Sequence, residues 1–148
     1  MKVYLSGLLL IVLLGCNTSE HTEKKVTITD GAKSYEVYKP SEMSSLMKGM
    51  YAYNEQIKAE IVDGNELSNE FPEEFLKIHS AELSETKLRN ETFQHYSGKF
   101  IDAQRQVFMS DSELSVKDRY NNAINMCLSC HKTECTGPIP KIKKLLIK

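Results

Sequence analysis

The 148-residue chain has no apolar run long enough to cross a bilayer. A spanning helix takes roughly 20 consecutive apolar residues, and the longest stretch here, Val3 to Leu14, offers about 12. The net charge is only −1 at pH 7, so there is no basic excess to neutralise the phosphates of a nucleic acid. No internal repeat is present, which excludes a solenoid. Strand-like alternation is essentially absent after residue 40, which argues against a sheet core. One CxxC occurs, with no second CxxC and no HxxxH to complete a four-ligand zinc site. No set of substrate-handling side chains stands out, so nothing marks an enzyme.

What is present is concentrated at Cys127-Leu128-Ser129-Cys130-His131. With four Cys and four His in the chain, chance would produce CxxCH roughly 0.003 times. Two thiols one helical turn apart can add to the two vinyl groups of one porphyrin, while the adjacent imidazole swings under the iron. The spacing therefore predicts one covalent haem c, with Cys127 and Cys130 as thioethers and His131 as proximal iron ligand. A thioredoxin-like CxxC would follow a strand and open a helix, whereas this one closes a helical pattern.

Haem is attached outside the cytoplasm, so the motif asks for export. Residues 1 to 15 read as a signal peptide, Lys2 followed by the apolar run. Leu13-Leu14-Gly15-Cys16 looks like a bacterial lipobox, which implies that Cys16 is lipidated and becomes the mature N-terminus; a plain secretory signal is the alternative. Acyl chains contribute ~0.8 kcal/mol per buried CH₂ and would anchor the chain to a membrane, facing the periplasm. Asn17 beside the acceptor cysteine leans toward the outer membrane. Residues 16 to 39 are polar, rich in Thr, Ser, Glu and Lys, and read as a tether with at most a short extended stretch around Tyr35 to Tyr38. Cys135 is left over, and burial is its expected fate.

The folded part is then 40 to 148, enough for one core. Four segments show helical spacing. Ser41 caps a first, with Met43, Leu46, Met47, Met50, Ile57 and Ile61, ending at Asp63-Gly64. A second begins with Pro72 and runs through Phe75, Ile78, His79 and Leu83. A third carries Phe93, Phe100, Ile101, Val107 and Phe108. A fourth opens with Ser115 and Asp118 and continues through Val116, Tyr120, Ala123, Ile124 and Cys127. His131 is four residues after Cys127, so the stripe that builds the core also carries the ligand.

The simplest packing is all-α, an antiparallel up-down-up-down four-helix bundle with haem c bound near the C-terminal end of the fourth helix. That topology sets the end of helix four beside the start of helix one, so the cofactor lies between His131 and the Met43 to Met50 stretch. It also brings His79 and Phe93 to the same level. Tyr51 and Tyr53 flank the pocket or simply pack.

A CxxCH near the end of a fourth helix resembles the cytochrome c-prime group. In that group a residue of helix one covers the distal side of the iron, and Ser45-Leu46-Met47-Lys48-Gly49-Met50 matches it with Met47 at the covering position and Met50 one turn on. More closely, the chain resembles small haem-binding bacterial lipoproteins. The shared pattern is Ser41-Glu42, Leu46-Met47, CxxCH, Cys135, Gly137-Pro138 and an Ile/Leu/Lys tail, over roughly residues 36 to 148. Two departures from the first group stand out: Cys135 replaces the usual basic residue one turn after the histidine, and 17 residues follow His131. In this tail Gly137-Pro138 breaks the helix, and Ile139, Ile142, Leu145 and Leu146 can fold back as an amphipathic lid.

Function turns on the sixth iron position. Ligation by Met47 or Met50, with His79 a third candidate, makes a six-coordinate electron carrier; Met47 packing without ligation leaves a five-coordinate site for NO or CO. The expectation is a monohaem lipoprotein cytochrome transferring one electron at a time to a redox partner protein, with a gas binder or sensor as the alternative and a haem-bearing subunit of a respiratory complex as a third class. Five Lys and one Glu give Lys132 to Lys148 a charge of +4 and leave the rest of the mature chain at −6, a dipole that can steer an acidic partner or merely solvate the tail.

Overall fold

The computed structural model describes residues 26–30, 33–37, 39–67, 70–84 and 87–148. Residues 1–15, read above as a signal peptide, Cys16, read as a lipid acceptor, and the first part of the expected tether lie outside the described residues. The chain divides into two compact units, Met1–Lys39 and Pro40–Lys148.

In the first unit, β1 (Val26–Asp30) and β2 (Lys33–Val37) form an antiparallel hairpin in the register Val26↔Val37 through Asp30↔Lys33. The short extended stretch expected around Tyr35 to Tyr38 overlaps β2, and β1 was not expected. Two signals carry them: the alternation of Val26 and Ile28 with Thr27 and Thr29, and Asp30-Gly31 at the reversal, a dipeptide suited to tight hairpins.

From Pro40 onward all regular structure among the described residues is helical. Helix α1 spans Glu42–Val62, α2 Glu91–Val107 and α3 Val116–Glu134. Each start is set by a capping side chain. Ser41 Oγ accepts from Ser44 N at 3.2 Å, Asn90 Oδ1 from Phe93 N at 2.7 Å, and Ser115 Oγ from Asp118 N at 3.1 Å. Each satisfies one donor that the helix itself leaves unpaired. Helix α1 stops at Asp63, and Gly64 follows at φ 73°, a left-handed conformation that glycine adopts without a Cβ penalty.

The second expected helix is instead a seven-residue 3-10 helix, Glu73–His79. Its core residues, Phe75, Ile78 and then Ala81, recur every three positions, which matches three residues per turn. The backbone beyond it is drawn away by α1: Met43 N donates to Glu82 O at 2.9 Å, and Glu82 N donates to Glu42 Oε2 at 2.9 Å. Residues 81 to 84 thus close the N-terminus of α1 rather than lengthen their own helix.

Two apolar clusters fill the unit. One gathers Met43, Met50, Phe75, Ile78, Phe93 and Phe100; the other gathers Ile57, Val107, Tyr120, Ile124, Leu128, Ile142 and Leu145. Cys127 packs against both. The tail turns after α3 through α4 (Ile139–Ile142) and a 3-10 turn at Lys143–Leu145. It folds back and is fastened by polar clamps: Lys58 Nζ donates to the carbonyls of Lys144 (2.7 Å) and Leu146 (3.1 Å). Asn121 holds both the N–H and the carbonyl of Ile147, each at 2.9 Å.

Candidate functional site

Where the two clusters meet there is a cavity of about 640 Å³, within the size range of small-molecule sites. Helix α1 contributes Met43, Met47, Met50 and Asn54, spaced by four, three and four residues and hence one stripe of the helix. Helix α3 contributes Cys127, Cys130 and His131; α2 contributes Phe93 and Phe100; the returning tail contributes Pro138, Ile142 and Leu145. Of the residues singled out from sequence, Met47, Met50, Phe93, Cys127, Cys130 and His131 therefore share one wall-lined space. Met50 and Phe93 are buried, and Met47 is half-buried.

His79 does not join them. It is exposed, its Nδ1 lies 3.5 Å from Ser97 Oγ, and it is outside the cavity wall. The three-residue repeat of the 3-10 helix turns Ile78 inward, where it lines the cavity, and leaves His79 on the outside. Tyr51 is in the wall, with Lys141 Nζ 4.1 Å above its ring. Tyr53 instead packs edge-on to Phe75 and donates to Glu70 O at 2.9 Å.

The imidazole of His131 is oriented by the chain that follows it. Its Nδ1 lies 2.8 Å from the carbonyl oxygen of Cys135. A carbonyl only accepts, so Nδ1 carries the proton and donates, which leaves the Nε2 lone pair for a metal. The bond is available because α3 ends at Glu134 and Cys135 departs from helical geometry at φ −159°, ψ 89°. Cys135 itself is exposed, contrary to the burial expected of it; its backbone rather than its thiol meets the site.

Cys127 and Cys130 are free thiols, both half-buried. Burial, with the adjacent Cys130, pushes Cys127 up to about 12. Burial followed by Glu134 and Cys135 pushes Cys130 up to about 11. Among the described residues there is no group of three or more His, Cys, Asp or Glu placed to hold a metal ion. A porphyrin asks the protein for one axial nitrogen and, if covalent, two thiols. The apolar wall, the paired thiols and the free Nε2 fit that group, and Lys48, Lys87 and Lys141 bring positive charge to the wall, the sign that porphyrin carboxylates require.

Sequence reasoning passed over Asn54. It is 2 % exposed, lines the cavity, and has no partner for its Oδ1. A buried acceptor left unpaired costs about 1–3 kcal/mol. The signal was a polar residue in the stripe of Met43, Met47 and Met50.

No family model, curated protein or solved structure matches the chain.

Proposed function

We propose that the chain is a monohaem c-type cytochrome, exported and lipid-anchored through Cys16, that transfers single electrons outside the cytoplasmic membrane. The observation that carries the reading is His131: its tautomer is set for metal ligation by the Cys135 carbonyl, in a cavity lined also by two unpaired thiols and a methionine stripe. Haem, when bound, supplies a one-electron ferric/ferrous couple. Cys127 and Cys130 would hold it covalently and His131 would ligate its iron through Nε2, with Met47 of α1 the candidate for a second ligand and Met50 in the same stripe of the wall. The predominantly apolar lining lowers the polarity around the site, which keeps reorganisation small. In this reading the helical unit is a shortened relative of the four-helix cytochrome bundle, with Glu73–His79 standing where a second helix runs. The tail serves as the lid, and its lysines steer an acidic redox partner.

The test is maturation of the full chain in a host that attaches haem. Mass spectrometry should find one porphyrin on the peptide that contains Cys127 and Cys130, and absence of that mass sinks the reading. Exposure of the reduced protein to CO then separates the two chemistries: unchanged bands mark the electron carrier, and an immediate shift marks a five-coordinate binder of NO or CO. Met47→Ala should convert the first behaviour into the second.

A further inference from the structure

Asn54 is a buried polar residue among the apolar side chains of α1 that line the cavity, and its electrostatics are one-sided. Its Nδ2 donates to Met50 O at 2.9 Å. The reverse amide orientation would set two acceptor oxygens against each other, so the assignment is fixed by chemistry. The positive end of the amide dipole is thereby compensated. The negative end is not, since Oδ1 is buried and has no donor. Tyr120, itself 0 % exposed, donates its hydroxyl to the backbone carbonyl of Asn54 at 2.9 Å and pins this turn of α1 against α3. Just beneath the lining sits an uncompensated oxygen, held in place and shielded from water, where charges interact most strongly.

We infer that Asn54 holds the reduction potential of the site below the value that a wholly apolar wall would give. The inference rests on the haem reading above and assigns a residue that tunes the couple without touching the iron. Reduction brings in one electron, so at fixed protonation the charge of the site falls by one. An uncompensated negative oxygen in the wall opposes that change and favours the ferric form. The effect does not depend on whether Met47 is ligated.

The experiment compares matured wild type, Asn54→Leu and Asn54→Ser by spectroelectrochemistry, with the electrode as electron source. Leu removes the whole amide. Ser removes the carbonyl but keeps a bond to Met50 O, since a helical serine can donate to the carbonyl four residues back. Both variants should titrate at a higher potential with unchanged absorption bands. The shift should change the oxidised-to-reduced ratio at a fixed potential by roughly threefold, about the size of one weak hydrogen bond. If Asn54→Leu does not mature, Asn54→Ser decides alone. A raised potential for Leu with wild-type behaviour for Ser would assign the effect to the Met50 bond, a structural role, and overturn the inference. Unshifted or lowered potentials in haem-bearing variants overturn it while leaving the haem reading intact. Failure of the wild-type chain to acquire porphyrin removes both.

Discussion

At the scale of single residues, backbone groups do much of the positioning. His131 is oriented by a carbonyl, so the identity of the side chain at 135 should matter little: Cys135→Ser should leave porphyrin attachment and the absorption spectrum unchanged. A loss of either would show that the thiol itself takes part. Tyr120 is the converse, a side chain whose hydroxyl is spent on the Asn54 carbonyl. Tyr120→Phe should cost about 1 kcal/mol in urea unfolding at neutral pH. Burial first, and then the charges on Cys127, Tyr51 and Glu55, raise its pKa well above the ordinary 10.0. The unfolded chain therefore loses this proton near pH 10 while the folded chain retains it. That stability is complete below pH 10 and is lost as pH rises beyond it, and Tyr120→Phe should flatten this part of the pH–stability profile.

At the scale of elements, α1 and α3 were legible because a cap and an apolar stripe agreed on the same start, at Ser41 and at Ser115, and α2 was legible from its apolar stripe alone. Ser115→Ala should cost about 1 kcal/mol through the lost bond to Asp118 N. The second helix was misread because its apolar spacing fits a three-residue as well as a 3.6-residue repeat over so short a span. What decided between them was tertiary: the backbone of Glu82 completes the start of α1, and no local pattern announces that. His79 was misplaced by the same error, since its side depended on the helix type. The CxxCH wall and the methionine stripe were legible because both lie on regular helices, where sequence spacing fixes the face. Asn54 was not, because an unpaired oxygen is a property of the packed wall. The tail is the most testable element. Ile142 and Leu145 are 7 % and 3 % exposed, and burial of each contributes about 1.5–3 kcal/mol. A chain stopped after Gly137 should therefore lose on the order of 3 kcal/mol, seen as a lower Tm.

At the scale of the molecule, charge and cavity lie together. Lys48, Lys87 and Lys141 are wall residues, and the segment Lys132–Lys148 carries +4. Reduction of the matured protein by an anionic one-electron donor should slow as ionic strength rises from about 10 mM to about 150 mM, over which the Debye length falls from roughly 30 Å to 8 Å. A neutral donor should show no such slope. The tail, which carries Lys141, also walls the cavity, and it is locked by Lys58 from α1 and Asn121 from α3. On the haem reading proposed above, a rigid flat guest tethered at Cys127 and Cys130 would meet a latch closed from two helices, an arrangement that favours thioether formation before the latch shuts.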